Sequence, residues 1–164
     1  MDCFKVRVGK DSLGFAASHF ITFEGSKCER LHGHNFRVAV DLEGPLNGDY
    51  LVLDFVVLRS MLQEILRELD HRVLLPLLSS RLQLAHDAKA VSIQCGERRW
   101  VFPREDCTLL PLENTTAELL AKWIGSRLMD EMRHRASLPL ALPRIVRIEV
   151  EESPGEAAFH EPQP

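Results

Sequence analysis

From His34 to Glu43 every second residue is apolar, with Phe36, Val38, Val40 and Leu42 on one side, and this run constrains the fold most. A side-chain period of two makes it a strand with one face against a core. The run opens on His32-Gly33-His34. Histidines at i and i+2 share a strand face, while Gly33 turns to the other and adds no bulk, so both imidazoles can reach one metal ion. An earlier alternating segment, Phe4 to Val8, resumes after the Gly9 to Gly14 interruption and runs through Phe15 to His19. His19 therefore stands on the expected hairpin partner of the histidine pair. Ile21 to Leu31, with Gly25 and several charges, reads as the hairpin loop.

Gly44-Pro45-Leu46-Asn47-Gly48 is a turn, and from Phe55 the period becomes helical, with Leu58, Met61, Leu62, Ile65 and Leu69 on one stripe that ends near Asp70-His71. Leu75 to Pro111 is the least regular stretch. It holds one small hairpin, Ala90 to Gln94 and Arg99 to Phe102 around a turn at Gly96. Thr115 and Glu118 have capping-box spacing and open a second amphipathic helix to about Arg133, which Pro139 and Pro143 close off. A last strand, Ile145 to Glu151, and a short one near Ala157 to Phe159 complete the order. Two strands, two helices and two strands, without βαβ alternation, predict an α+β domain over residues 1–164: an antiparallel four-stranded sheet with both helices on one face. The uncovered sheet face then needs a second copy.

At 164 residues, 45% hydrophobic and 27% charged with a net charge of −4, the chain fits one ordinary core and excludes disorder, a coiled coil or a general nucleic-acid surface. No apolar run reaches membrane-spanning length and Met1 to Lys10 lacks the layout of a signal peptide, so the expected location is cytoplasmic. The four cysteines are scattered without a C-x-x-C pair, which in that compartment favours free thiols.

Three histidines with an open fourth position form an established catalytic zinc arrangement, and His19, His32 and His34 are the candidate ligands. Cys28, with three residues between it and His32, lies between Lys27 and Glu29-Arg30 in the loop. Cations and a metal nearby favour its thiolate, which makes it a candidate base or nucleophile. An inert loop thiol and a fourth ligand closing a structural site are the alternatives. Asp70-His71 is either a helix stop or a carboxylate that orients a proton-shuttling imidazole. Of Glu149, Glu151 and Glu152, the first two fall on the exposed row of their strand. Glu152, at its end, can accept paired N–H groups from a guanidine-like heterocycle. Thr116 and Glu118 have an ordinary role at a helix start.

These residues fall in stretches that resemble the 6-pyruvoyltetrahydropterin synthase / 6-carboxytetrahydropterin synthase family, of the tunnelling fold. The stretches are Phe15-Ala-Ala-Ser-His19, Cys28-Glu-Arg-Leu-His-Gly-His34, Leu53-Asp-Phe55, Leu69-Asp-His-Arg72, Asn114-Thr-Thr-Ala-Glu118 and Val150-Glu-Glu-Ser153, in family order. The resemblance implies that His19, His32 and His34 hold Zn2+, that Cys28 is the catalytic thiol with Asp70 and His71 as proton-transfer partners, and that Glu152, assisted by Thr116 and Glu118, anchors a pterin ring. It implies 7,8-dihydroneopterin triphosphate as substrate and a homo-oligomeric ring with sites at subunit interfaces. The three-residue spacer resembles the bacterial 6-carboxytetrahydropterin synthases of 7-deazaguanine and queuosine biosynthesis, which release triphosphate and acetaldehyde. A 6-pyruvoyl-type elimination, a divergent pterin side-chain lyase and a non-catalytic pterin- or purine-binding module are the alternatives. Residues 77–110 look like an insertion. Lys27 and Arg30 are the candidate cations near the phosphates.

Overall fold

In a computed structural model, which describes residues 2–25, 27–135 and 142–162, the alternating run becomes the central strand of the main sheet. The chain opens with β1 (Phe4–Val8) and β2 (Gly14–His19), makes a two-stranded ladder of β3 (Thr22–Phe23) and β4 (Lys27–Cys28), then enters β5 (His32–Gly44). Helix α1 (Phe55–Arg67) follows, then β6 (Arg72–Pro76), a separate sheet of β7 (Gln83–His86), β8 (Ala90–Cys95) and β9 (Arg98–Pro103), and β10 (Cys107–Leu110). Helix α2 (Ala117–His134), β11 (Ile145–Ser153) and β12 (Glu156–His160) complete it. Pro139 lies outside the described residues.

Strand β5 is long enough to serve two partners on one edge: its first half pairs antiparallel with β2, its second half with β1, and β11 runs along the other edge. The α+β class holds, but the sheet corrects the expected four antiparallel strands. It has seven strands in the order β10-β6-β2-β5-β11-β12, with β1 also on β5, and it is mixed, because β6 pairs parallel with β2 and β10 parallel with β6. The cause is visible in β6, where the buried pair Leu74-Leu75 makes a short continuous apolar run. Such a run has no period of two to announce a strand. The ladder inside the expected hairpin loop is likewise too short to read from pattern.

Both helices pack on one face of the sheet. Asp54 caps α1 by accepting from the Val56 and Val57 amides at 2.6 and 3.2 Å, and Leu58, Met61, Leu62, Ile65 and Leu66 form its buried stripe. Each such side chain contributes roughly 2 kcal/mol through burial. The cap of α2 is Thr116, whose hydroxyl accepts from the Leu119 amide, and not Thr115, which is fully buried one residue earlier. A second apolar cluster joins the separate sheet to the main one: Val91, Ile93 and Cys95 meet Phe20 and Leu75, and the Trp100 ring stacks on Phe20 with centroids 4.8 Å apart.

Two expectations about single residues change. Glu149 and Glu151 are buried, at 7% and 9% exposure, on a strand that lies inside the sheet between β5 and β12. Glu149 pairs there with Arg7, which also reaches buried Asp41. Cys28 and Cys95 are not free thiols: they form a disulfide across 67 residues of sequence, with Cα atoms 6.5 Å apart. Cysteine spacing carries no information about which residues the fold brings together. In the chain-entropy account a loop of that length stabilises the folded state by roughly 4 kcal/mol. Cys3 and Cys107 are free.

Candidate active site

The antiparallel register of β2 and β5 sets His19 opposite His32 and Ala17 opposite His34. Residues facing one another across such a pair share a sheet face, and so do i and i+2 along a strand, so the three imidazoles converge at one end of the helix-covered face. Their candidate ligand atoms lie within 4.8 Å of one another, the geometry expected of a site that can hold one ion. Gly33 eases the close approach of β2 and β5 between the two ligands, since a Cβ there would stand 3.2 Å from the Ala17 carbonyl oxygen.

Backbone carbonyls select the tautomer of two of the rings. His19 Nδ1 donates to the Thr115 carbonyl at 2.8 Å and His32 Nδ1 to the Arg30 carbonyl at 2.7 Å. A carbonyl can only accept, so each ring carries its proton on Nδ1 and presents the lone pair of Nε2. With its proton on Nδ1, His19 Nε2 is a buried acceptor that makes no hydrogen bond among the described residues, and the Glu152 oxygen nearest to it is also an acceptor. A metal ion between them would remove that cost. Burial holds the His19 pKa below its ordinary value and so favours the neutral ring that coordination requires. Neutral imidazole donors in this orientation suit zinc.

Glu152, at the end of β11, places Oε1 3.1 Å from His19 Nε2 and 3.8 Å from His34 Nε2. The same residue lines a cavity of about 390 Å³ together with Thr116, Glu118, Ile21 and Glu156. Glu152, Thr116 and Glu118, proposed together from the sequence, are therefore brought together beside the histidines. Thr116 also keeps its ordinary role as a helix cap.

The proton-transfer pair also forms as a unit. Asp70 Oδ1 accepts from the Ala16 amide at 2.8 Å and Oδ2 stands 2.9 Å from His71 Nδ1, while His71 takes a left-handed φ of 56° and its amide donates to the Ala16 carbonyl. His71 borders a cavity of about 480 Å³ with Ser18, Gly33 and Asn35. Ser18, Gly33 and Asn35 alternate with the histidines along β2 and β5, but His34 lines this cavity too, so the cavity borders the histidine cluster through that residue. Among the described residues the Asp70-His71 pair has no hydrogen bond or ion pair to the three histidines, and the cavity that His71 shares with His34 links the two groups.

The Ala16 amide, followed by His71, holds the Asp70 carboxyl below its ordinary pKa. A depressed pKa contributes stability that is present above the unfolded value of about 3.9 and lost as pH falls through the lower folded value. Asp70→Asn is expected to flatten that acid limb: urea midpoints of wild type and variant should differ at neutral pH and converge below the ordinary carboxylate range. Equal separation at every pH would remove the ionised Asp70 as the cause.

Cys28 is committed to Cys95 and offers no thiolate in this state. Beside it, Glu29 Oε2 lies 3.8 Å from His32 Nδ1 and accepts from the Ile21 amide at 3.3 Å. Of the two loop cations, Lys27 pairs with Glu24, whereas Arg30 lines a cavity of about 380 Å³ with Arg98, Arg99 and Trp100. Sequence reasoning missed the residues that support the site. Thr115 acts through its carbonyl, and Asn114 clamps the backbone of Thr22 from both sides, receiving its N–H at 3.2 Å and donating to its C=O at 2.9 Å. A main-chain acceptor leaves no mark in residue identity. The order Asn114-Thr115-Thr116 was the one available signal.

The sequence model of 6-pyruvoyl tetrahydropterin synthase matches residues 10–163. A protein of Pyrococcus horikoshii, provisionally named 6-carboxy-5,6,7,8-tetrahydropterin synthase, is 36% identical over 117 residues, covering 71% of this chain and 69% of its own. A Methanocaldococcus jannaschii protein with the same provisional name is 30% identical over 149 residues, covering 90% and 89%. Among solved structures, a Plasmodium vivax 6-pyruvoyltetrahydropterin synthase with a glutamate-to-alanine change at a catalytic residue superposes with a TM-score of 0.91 at 27% identity over 100% of both chains.

Proposed function

Since the chain belongs to the 6-pyruvoyl tetrahydropterin synthase family, we propose that it is a zinc-dependent lyase that converts 7,8-dihydroneopterin triphosphate and one water molecule to 6-carboxy-5,6,7,8-tetrahydropterin, triphosphate and acetaldehyde. The observation that carries this reading is Glu152, which belongs at once to the histidine cluster and to the cavity shared with Thr116 and Glu118. A planar ring held there by its guanidine-like edge would direct its side chain toward the imidazoles. The three-residue spacer between Cys28 and His32 and the names of the archaeal relatives favour the 6-carboxy product.

His19, His32 and His34 would hold the ion. Bound zinc would polarise the side-chain oxygens of the substrate and acidify the neighbouring C–H. The residues of the chain then divide the remaining work. Glu152 accepts the paired N–H groups of the pterin edge and fixes its orientation. Cys28, when reduced, takes the proton from carbon. Arg30, Arg98 and Arg99, three guanidinium groups around one cavity, receive the triphosphate. The Asp70-His71 pair moves protons at the side-chain oxygens. Its exposed position leaves it able to serve the site of a neighbouring copy in a homo-oligomer.

A specific observation favours a second base. With Cys28 in a disulfide, Glu29 is the adjacent carboxylate near His32, and the similar Plasmodium vivax enzyme has a catalytic glutamate. Product identification tests the proposal. Zinc-loaded, reduced protein given 7,8-dihydroneopterin triphosphate is expected to yield the mass of 6-carboxytetrahydropterin with equimolar acetaldehyde. A 6-pyruvoyl product without acetaldehyde would move the chain to the elimination branch, and intact substrate on binding-competent protein would make it a pterin-binding module.

A further inference from the structure

The turn between β8 and β9 reaches the Cys28-Glu29 loop by two independent contacts. Cys95 and Arg98 face one another across that turn, which Gly96 closes at a φ of 60°, so sulfur and guanidinium are delivered side by side. Cys95 bonds to Cys28. Arg98 Nη1 donates to the carbonyls of Cys28 and Glu29 at 3.0 and 3.2 Å. Beneath them, Trp100 stacks on Phe20, the residue that follows His19, and Cys95 sits in the same apolar cluster. The hairpin is thus anchored to the loop by contacts that survive breakage of the S–S bond. Its two sulfurs stay within reach of each other, the condition for a bridge that opens and closes without unfolding.

We propose that Cys28 and Cys95 are a reversible thiol–disulfide pair, in which the bridge withholds the Cys28 thiol from the reaction and a dithiol reductant restores it. The inference rests on the reading of Cys28 as the proton acceptor. A cystine sulfur has no thiolate and can take no proton. The exchange balances: the cystine and one dithiol give two cysteine thiols and one cyclic disulfide, two electrons and two protons passing from reductant to protein. In a reducing compartment a cystine that includes a catalytic thiol belongs to the redox-sensing class, and a structural bridge would have no reason to use that residue.

The test uses the full-length, zinc-loaded protein in buffers of oxidised and reduced dithiothreitol. The reagent cyclises and leaves no lasting mixed disulfide. Peptide mapping after alkylation reports the bridge without reference to turnover. The expected result has three parts: a linked Cys28–Cys95 peptide in the oxidised buffer, both cysteines alkylated in the reduced one, and turnover of 7,8-dihydroneopterin triphosphate rising about 100-fold or more on reduction. Cys95→Ser should be active in both buffers. Absence of a linked peptide in the oxidised buffer overturns the proposal. So does a complete bridge with equal turnover in both states, which would leave the lyase reading intact and assign the proton to Glu29. Substrate left intact by both the reduced protein and Cys95→Ser overturns the lyase reading, and the switch falls with it.

Discussion

His34→Ala is expected to lower zinc affinity by about 10³-fold or more and to abolish measurable turnover. Tight zinc sites in small proteins reach on the order of 10–16 kcal/mol of apparent binding free energy, so one of three protein ligands accounts for roughly 4 kcal/mol. His34 suits the experiment better than His19, because its ring is partly exposed whereas His19 is buried and holds the Thr115 carbonyl. Loss of His19 would leave that buried acceptor unpaired and confuse metal loss with instability. Equilibrium dialysis against a zinc chelator, with urea melts of the metal-free proteins alongside, separates the two effects. His86→Ala, on β7 in the separate sheet, should retain full zinc. Unchanged zinc content in His34→Ala would remove the three-histidine centre.

The histidine centre was legible because strand geometry alone sets it. A period of two puts His32 and His34 on one face, and a hairpin turn brings His19 opposite, so three residues far apart in type of segment meet by register. Helix α1 was legible for a parallel reason, its apolar stripe being long enough to exclude a strand. Strands β6 and β10 were not, since a strand of four or five residues carries neither clear alternation nor a turn signal, and their parallel partners are distant in sequence, β2 for β6 and β6 for β10. The Cys28–Cys95 bridge and the buried state of Glu149 fail for the same reason: each depends on which strands become neighbours. The Asp70-His71 pair shows the boundary case. Its internal geometry follows from adjacent residues at a helix end, but its placement on a cavity shared with Ser18, Gly33 and His34 follows from the topology.

Glu152→Gln separates two jobs that its position allows, holding a metal and holding a substrate. The carboxylate stands close enough to the Nε2 atoms of His19 and His34 to be drawn into a coordination sphere, yet its residue also lines the cavity with Thr116 and Glu118. If it anchors a pterin edge, glutamine presents one acceptor and one donor where two acceptors are needed. The variant then loses a charge-assisted pair and sets an N–H against an N–H. Hydrogen bonds to charged groups are worth about 1.5–3 kcal/mol, and an unmatched buried donor adds to the loss, so kcat/KM should fall by about 10²–10³. Most of the fall should appear in KM, because ring binding is shared by ground state and transition state. Zinc content should stay at one ion per chain, with affinity within about tenfold of wild type, since the imidazoles and their carbonyl partners remain. The opposite pattern, zinc lost in parallel with activity, would make Glu152 a ligand of the ion and require the pterin edge to find its anchor at Glu118.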